Sequence, residues 1–295
     1  MTNLVSVVIP TYKRPYQTLL RAVKSVLEQS YGNIEVIIVD DSPLDDINRK
    51  EVETNVKSIK DKRVKYIQHK NNQGACKARN TGIRYSSGTF IAFLDDDDEW
   101  LPQKIEMQLR KFNDEKVGLV YCDSNTITVS GSKVMKSKIR AHRIAGWVFD
   151  RLIINNFIGS TSFVIIRREI IDNCGLFKTD MKSAQDAEFW LRISKKYKVD
   201  FVDEPLVNYY IHEGDRISTN IANKIQGLEK INEINKSYLM ENRKALCIRK
   251  LKIIPYYQLQ YGNKIAIEKW VEAFKIYPLH FKNVEYLIRI YLKKR

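Results

Sequence analysis

Cysteine is scarce in this 295-residue chain. The four present, Cys76, Cys122, Cys174 and Cys247, stand far apart, with no Cys-x-x-Cys and no histidine at ligand spacing. That argues against a zinc site or a disulfide framework and leaves reduced, mostly buried thiols as the expectation. No apolar run approaches the roughly 18 residues needed to cross a bilayer. The start, Met1-Thr2-Asn3 followed by Leu4-Val5-Ser6-Val7-Val8-Ile9, has neither a basic leader nor a small-residue cleavage site, so the chain is expected to stay in the cytosol. No Gly-x-Gly-x-x-Gly follows any strand-like run, which argues against a dinucleotide-binding oxidoreductase. Pro10-Thr11-Tyr12-Lys13-Arg14-Pro15 contains no glycine, whereas a sugar nucleotidyltransferase needs a glycine-rich phosphate loop there.

What is abundant is positive charge. Lys and Arg number 50 against 35 Asp and Glu, a net +15. From Asn220 onward there are 16 basic and 6 acidic residues, so +10 of the excess lies in the last quarter. Such a segment reads as a surface for anionic partners, either nucleic acid or acidic lipid headgroups. It reads equally as the solvated face of helices that pack on the rest of the chain. The 44% hydrophobic and 29% charged content is that of a soluble globular protein, and the length suits one domain of about 200 residues plus an appendage.

Apolar runs and amphipathic stretches alternate through the first half. Strands are expected at 4–9, 35–39, 64–67 and 90–94, with helical periodicity between them at 19–27, more weakly at 45–60, and at 74–85. This order predicts βαβ units and a mostly parallel, Rossmann-like α/β sheet flanked by helices. Further strands are expected at 117–122, 125–129, 160–166, 199–202 and 206–211, and helices at 103–112 and 187–197. After Thr219 only helical patterns remain, which sets a boundary between residues 1–219 and a basic helical segment, 220–295.

Ligands in such sheets bind outside the carboxyl ends of the strands, which places Thr11, Asp41 and the run Asp95-Asp96-Asp97-Asp98 on one rim. Adjacent carboxylates roughly 5.5 Å apart, at an effective dielectric of about 20, repel by about 3 kcal/mol per pair. A divalent cation would offset this, since Mg²⁺ or Mn²⁺ takes one or two carboxylates plus substrate phosphates. The competing reading is an acidic, solvated loop that caps the helix beginning at Pro102.

Several motifs occur in order: Val5-Ser6-Val7-Val8-Ile9-Pro10-Thr11-Tyr12; Val39-Asp40-Asp41-Ser42; Asn72-x-Gly74 with Ala78-Arg79-Asn80; Gly88-x-Phe90-Ile91-Ala92-Phe93-Leu94-Asp95-Asp96-Asp97-Asp98-x-Trp100-Leu101-Pro102; Gln185-Asp186-x-Glu188-x-Trp190-Leu191-Arg192; and Tyr210-x-His212. Taken together over residues 4–219, this set resembles the family 2 glycosyltransferases with the GT-A fold. The resemblance implies an inverting transfer from a nucleotide-diphosphate sugar, usually a UDP-sugar, with the nucleotide half at about 1–122 and the acceptor half at about 123–219.

On that resemblance, Asp41 accepts a hydrogen bond from the base, Pro10, Thr11 and Tyr12 form the wall beside base and ribose, and Arg79 lies near the nucleotide. Asp95-x-Asp97 resembles the family's Asp-x-Asp: Asp97 is the metal ligand, Asp95 reaches metal or ribose, and Asp96 shares the ribose contact. The implied cofactor is Mn²⁺ or Mg²⁺. Asp98, Glu99 and Trp100 are expected to cap and anchor the helix that follows. Asp186 resembles the general base; many relatives have Glu-Asp where this chain has Gln185-Asp186, a departure that bears on acceptor positioning. His212 resembles the histidine that completes the metal site, and Arg216 and Ser218 are expected to donate to the diphosphate. The implied partners are a UDP-sugar donor, a glycan or lipid-linked glycan acceptor in capsular or cell-surface polysaccharide synthesis, and an anionic inner membrane face met by the C-terminal segment. Acceptor contacts are expected from 133–157 and from that segment. Nucleic acid is not expected as a partner, because the rim presents carboxylates.

Overall fold

The β-branched runs form strands as their composition predicts. In chain order these are β1 (Val5–Thr11), β2 (Ile34–Asp40), β3 (Val64–Gln68), β4 (Phe90–Phe93), β5 (Glu99–Trp100), β6 (Val117–Ser130), β7 (Lys133–Ile139), β8 (Val164–Arg167) and β9 (Lys198–His212). The helices are α1 (Tyr16–Leu27), α2 (Ile47–Lys57), α3 (Ala75–Tyr85), α4 (Lys104–Leu109), α5 (Phe149–Leu152), α6 (Glu169–Cys174), α7 (Gln185–Ser194), α8 (Ile221–Ile234), α9 (Lys236–Glu241), α10 (Arg243–Ile276) and α11 (Lys282–Leu292). This computed structural model describes residues 3–130, 133–139, 143–212 and 220–292.

The strands form one mixed sheet in the order β3-β2-β1-β4-β8-β6-β9-β5, with β7 added beside β6. β1 pairs in parallel with β2 and β4, and β2 with β3. β8 runs antiparallel to β4 and β6, while β6 and β9 are parallel. β1 and β2 are buried on both faces, which is why they read as continuous apolar runs. Leu19, Ala22, Val23 and Val26 of α1 join Val7, Ile9 and Ile38 in the main core, while Ala78 of α3 packs with Ile37 and Val39. Gly82 lets α3 approach: a Cβ there would lie 2.2 Å from Val8 Cγ1.

Two expected pairs of strands are single long strands. The polar break at Asp123-Ser124 is an irregularity within β6, where its pairing with β9 shifts register. The run at 160–166 divides into a 3-10 turn, Thr161–Phe163, and β8, because Ser160 Oγ accepts from Ser162 N and holds the turn.

The chain divides into two units. The first comprises Met1–Phe149, Phe157–Thr179 and Phe189–Glu213; the second comprises Asp150–Asn156, Asp180–Glu188 and Gly214–Arg295. The C-terminal helices thus gather two earlier stretches that a boundary at residue 219 does not assign to them. Buried Arg249 is one reason. Its guanidinium donates to Asn232 Oδ1 at 2.7 Å, to Leu228 O at 3.2 Å and to Ile153 O at 3.3 Å, and burial pushes its pKa down to about 10. Cys247, Leu251, Ile254, Ala266, Ala273 and Ile290 form a separate core in this unit. Among the described residues no helix is long and apolar enough to cross a membrane.

Candidate active site

The strand order β2-β1-β4 brings three carboxyl ends side by side. Thr11 closes β1 opposite Asp40, the last residue of β2, and Asp95 lies two residues past the end of β4. Thr11 binds both neighbours: its carbonyl accepts from Asp41 N at 2.9 Å, and its hydroxyl donates to Asp96 Oδ2 at 2.7 Å. Pro10, Thr11, Asp41 and the 95–97 carboxylates therefore share one rim. Tyr12, 45% exposed, stands beside it. The turn after Tyr12 puts Lys13 at φ 51°, a conformation that costs a non-glycine residue energy, and Lys13 N donates to Ser42 Oγ at 2.8 Å.

Asp41 is buried and held by three donors. Gln73 N reaches Oδ1 at 2.8 Å, Gly74 N reaches Oδ2 at 2.7 Å, and His69 Nδ1 lies 2.7 Å from Oδ1. The other ring nitrogen of His69 is 2.9 Å from Thr81 Oγ1. Gly74 has φ 87°, so only glycine turns the chain there without strain. The preceding residue, Asp40, serves structure: it accepts from Tyr66 Oη at 2.6 Å and from Ser42 N at 2.9 Å.

The four aspartates point to four different partner sets. Asp95 Oδ1 accepts from Arg79 Nη2 at 2.7 Å and from Thr161 Oγ1 at 3.1 Å. Asp96 accepts from Arg14 Nε at 3.0 Å as well as from Thr11. Asp97 Oδ2 lies 3.1 Å from Arg14 Nη2, and its carbonyl accepts from Arg21 at 2.6 Å. Asp98 is fully buried, accepting from Ser162 Oγ at 2.6 Å and Tyr210 N at 3.1 Å. Burial drives its carboxyl well above the usual range, and the charges of Asp95 and Asp97 push the same way. Burial also raises Asp96, against the pull of Arg14.

Two expectations need correction here. The aspartate run is not left without counter-cations, because Arg14 and Arg79 already lie against three of its members. Nor do Asp98, Glu99 and Trp100 cap the next helix. α4 starts at Lys104 with no side-chain cap, Asp98 ties the rim to β9, and Glu99–Trp100 form β5 on β9. Arg14, Arg21, His69 and the Ser160-Thr161-Ser162 turn were not expected at the rim. Sequence offered only a weak signal for them: a basic and a polar cluster beside the motifs.

Asp186 belongs to the second unit. α7 begins at Gln185, two residues earlier than its periodicity predicts, so Asp186 lies in the first turn, with Oδ1 accepting from Ala187 N at 2.8 Å. Gln185 Nε2 donates to Met181 O at 2.9 Å, and Ala184, just before, sits at φ 57°. His212 is the last residue of β9, opposite Val129 on β6; its side chain, like Arg216 and Ser218, lies outside the described residues.

Among the described residues no three His, Cys, Asp or Glu side chains converge closely enough to hold a metal ion alone. The rim carboxylates are nonetheless hard oxygen donors, the chemistry that suits Mg²⁺ or Mn²⁺ sharing its shell with phosphate oxygens. The donor set fits a cation bound together with a diphosphate.

A mixed α/β sheet with an acidic carboxyl-end rim defines the class: an enzyme frame of the open-sheet type. The sequence model of Glycosyl transferase family 2 matches residues 6–175, and the chain belongs to this family of glycosyltransferases. That membership removes the nucleotidyltransferase and basic binding-protein readings. An uncharacterized glycosyltransferase of Rickettsia conorii is 32% identical over 210 residues, 71% of this chain and 33% of the relative, so the chain spans about a third of that relative's length. The UDP-Glc:alpha-D-GlcNAc-diphosphoundecaprenol beta-1,3-glucosyltransferase WfgD of Escherichia coli is 29% identical, with 70% of this chain and 90% of WfgD covered. The crystal structure of S. aureus TarS 1–349 in complex with UDP-GlcNAc superposes with a TM-score of 0.64 at 16% identity, covering 98% of this chain and 79% of that one, a likeness of fold.

Proposed function

We propose that the chain transfers a sugar, with inversion, from a UDP-sugar to a hydroxyl of a lipid-linked glycan acceptor in bacterial capsular or cell-surface polysaccharide synthesis. One observation carries this reading: Thr11 ties three adjacent strand ends together by direct hydrogen bonds, its carbonyl accepting from Asp41 N and its hydroxyl donating to Asp96 Oδ2. The likeness to WfgD, named for a UDP-Glc donor and a diphosphoundecaprenol-linked acceptor, supports the donor and acceptor classes.

In this proposal Asp41, oriented by His69 and the 73–74 amides, accepts from the base. Pro10, Thr11 and Tyr12 flank base and ribose, Asp95 and Asp96 take the ribose, and Arg79 holds Asp95 in place. Asp97 with Asp95 would hold Mn²⁺ or Mg²⁺, which supplies charge neutralisation to the diphosphate. His212 is assigned as a further ligand, and Arg216 and Ser218 as diphosphate donors, by their motif positions alone. Asp186 takes the proton from the attacking hydroxyl. The nucleotide half ends near residue 122, the acceptor half near 219, and the basic helices face anionic lipid at the inner side of the membrane.

A panel of UDP-sugars offered with a diphosphoundecaprenol-linked sugar and Mn²⁺ tests this. Release of UDP coupled to a longer lipid-linked glycan is expected for one donor. No turnover with any UDP-sugar, but turnover with another nucleotide sugar, would overturn the donor assignment.

A further inference from the structure

The final helix of the second unit is apolar on two faces. Its inner face carries Asn283, Tyr286 and Ile290 at helical spacing against α10, where Trp270 Nε1 donates to Asn283 O at 2.8 Å and Gln258 Nε2 to Ile290 O at 3.0 Å. A surface helix normally presents polar residues on the opposite side. Here that side presents Phe281, Val284, Ile288, Tyr291 and Leu292, between 50% and 75% exposed, with Leu279 just before them at 93%. On a helical projection these positions of α11 fall within one arc of about 100°. Single exposed apolar residues need no account, but a contiguous stripe marks a contact surface.

We infer that this stripe inserts into the headgroup layer of an anionic lipid bilayer. Charge selects the occupant. Residues 220–295 hold 16 basic against 6 acidic side chains, so a second copy of the segment is repelled, while a sheet of anionic headgroups attracts it. An apolar face bordered by cations is the form that binds in the interfacial plane, its affinity set by buried apolar area plus charge attraction. Lys282 is the first residue of α11, next to Phe281, and Arg289 is paired with Glu285 on the same helix. This deepens the membrane partner proposed above and rests on that reading.

The test is co-sedimentation of the full chain with phosphatidylglycerol-containing vesicles and with pure phosphatidylcholine vesicles, both free of any glycan acceptor. Wild type is expected to pellet with the first and not the second. The double variant Val284→Asp, Ile288→Glu is expected to bind about tenfold or more weakly, with an unchanged melting midpoint. Should that variant fail to fold, Leu279→Ser with Leu292→Ser alters only the most exposed positions and is expected to weaken binding in the same direction. Failure of wild type to pellet, or equal pelleting of wild type and folded variant, overturns the inference. So does a wild-type dimer in sedimentation equilibrium that the variant converts to monomer, which would assign the stripe to a second copy. UDP release measured without vesicles separates the two readings, since it persists if only the lipid surface is wrong.

Discussion

Arg14 reaches 82 residues along the chain to Asp96 and 83 to Asp97, and it brings positive charge to both carboxylates. Burial alone would lower its pKa, but Asp96 and then Asp97 hold it raised. Arg14→Leu leaves buried Asp96 without its cation and is expected to cost about 1–3 kcal/mol of stability in metal-free buffer. Mn²⁺ with UDP should recover part of that loss in the variant and add less to wild type. Equal melting of variant and wild type in both buffers would deny Arg14 this role. Asp186→Asn should lower turnover by a factor of about 10²–10⁴ while UDP affinity stays near wild type. A variant that turns over at the normal rate removes Asp186 as the base. The rim aspartates were legible because their position after a β-branched run is a local pattern. Arg14 was not, since an arginine in a turn has no signature until strand register brings it to its partners. Ser160-Thr161-Ser162 was misread as strand for a related reason: hydroxyl residues beside a β-branched run suit a strand equally well, until a side chain closes a turn.

At the scale of elements, the amino ends of β1, β2 and β4 are joined by Glu35. It accepts from Ser6 Oγ at 2.6 Å, from Ser87 N at 2.6 Å and from Lys65 Nζ at 2.7 Å. Burial would raise its pKa, but these donors, Lys65 first, bring it from an ordinary 4.5 down to about 2. A carboxyl lowered on folding stabilises above its unfolded value and loses that contribution as pH falls through the folded one. Glu35→Gln should therefore unfold more readily at pH 7, and its stability should change less than wild type between about pH 4.5 and about 2. Parallel acid-unfolding curves would contradict the assignment. Gly82 tests how α3 meets β1: Gly82→Val is expected to cost about 1–3 kcal/mol by overpacking against Val8, read as a lower melting midpoint in calorimetry. An unchanged midpoint would mean the helix can move away freely. Strands β1, β2 and β4 were readable because burial on both faces makes them continuous apolar runs, and β3 because Val64, Tyr66 and Ile67 suit a half-buried strand. β5 was not, because two residues carry no periodicity, and the Asp123-Ser124 irregularity resembled a strand end.

For the molecule as a whole, the parallel order of β3, β2, β1 and β4 followed from alternating strands and helices, since crossover connections have one hand. The gathering of 150–156 and 180–188 with the C-terminal helices could not be read, because it depends on contacts distant in sequence: Arg249 on the carbonyl of Ile153, 96 residues away, and the close approach of Gly227 to Ser183. The central claim is that the β1–β2–β4 rim binds a uridine diphosphate together with a divalent cation. Calorimetric titration of UDP, with and without Mn²⁺, tests it most directly. The expected result is binding that depends on Mn²⁺, survives in Asp186→Asn and is lost in Asp97→Ala. Equal UDP affinity with and without the cation, unchanged by Asp97→Ala, would contradict it.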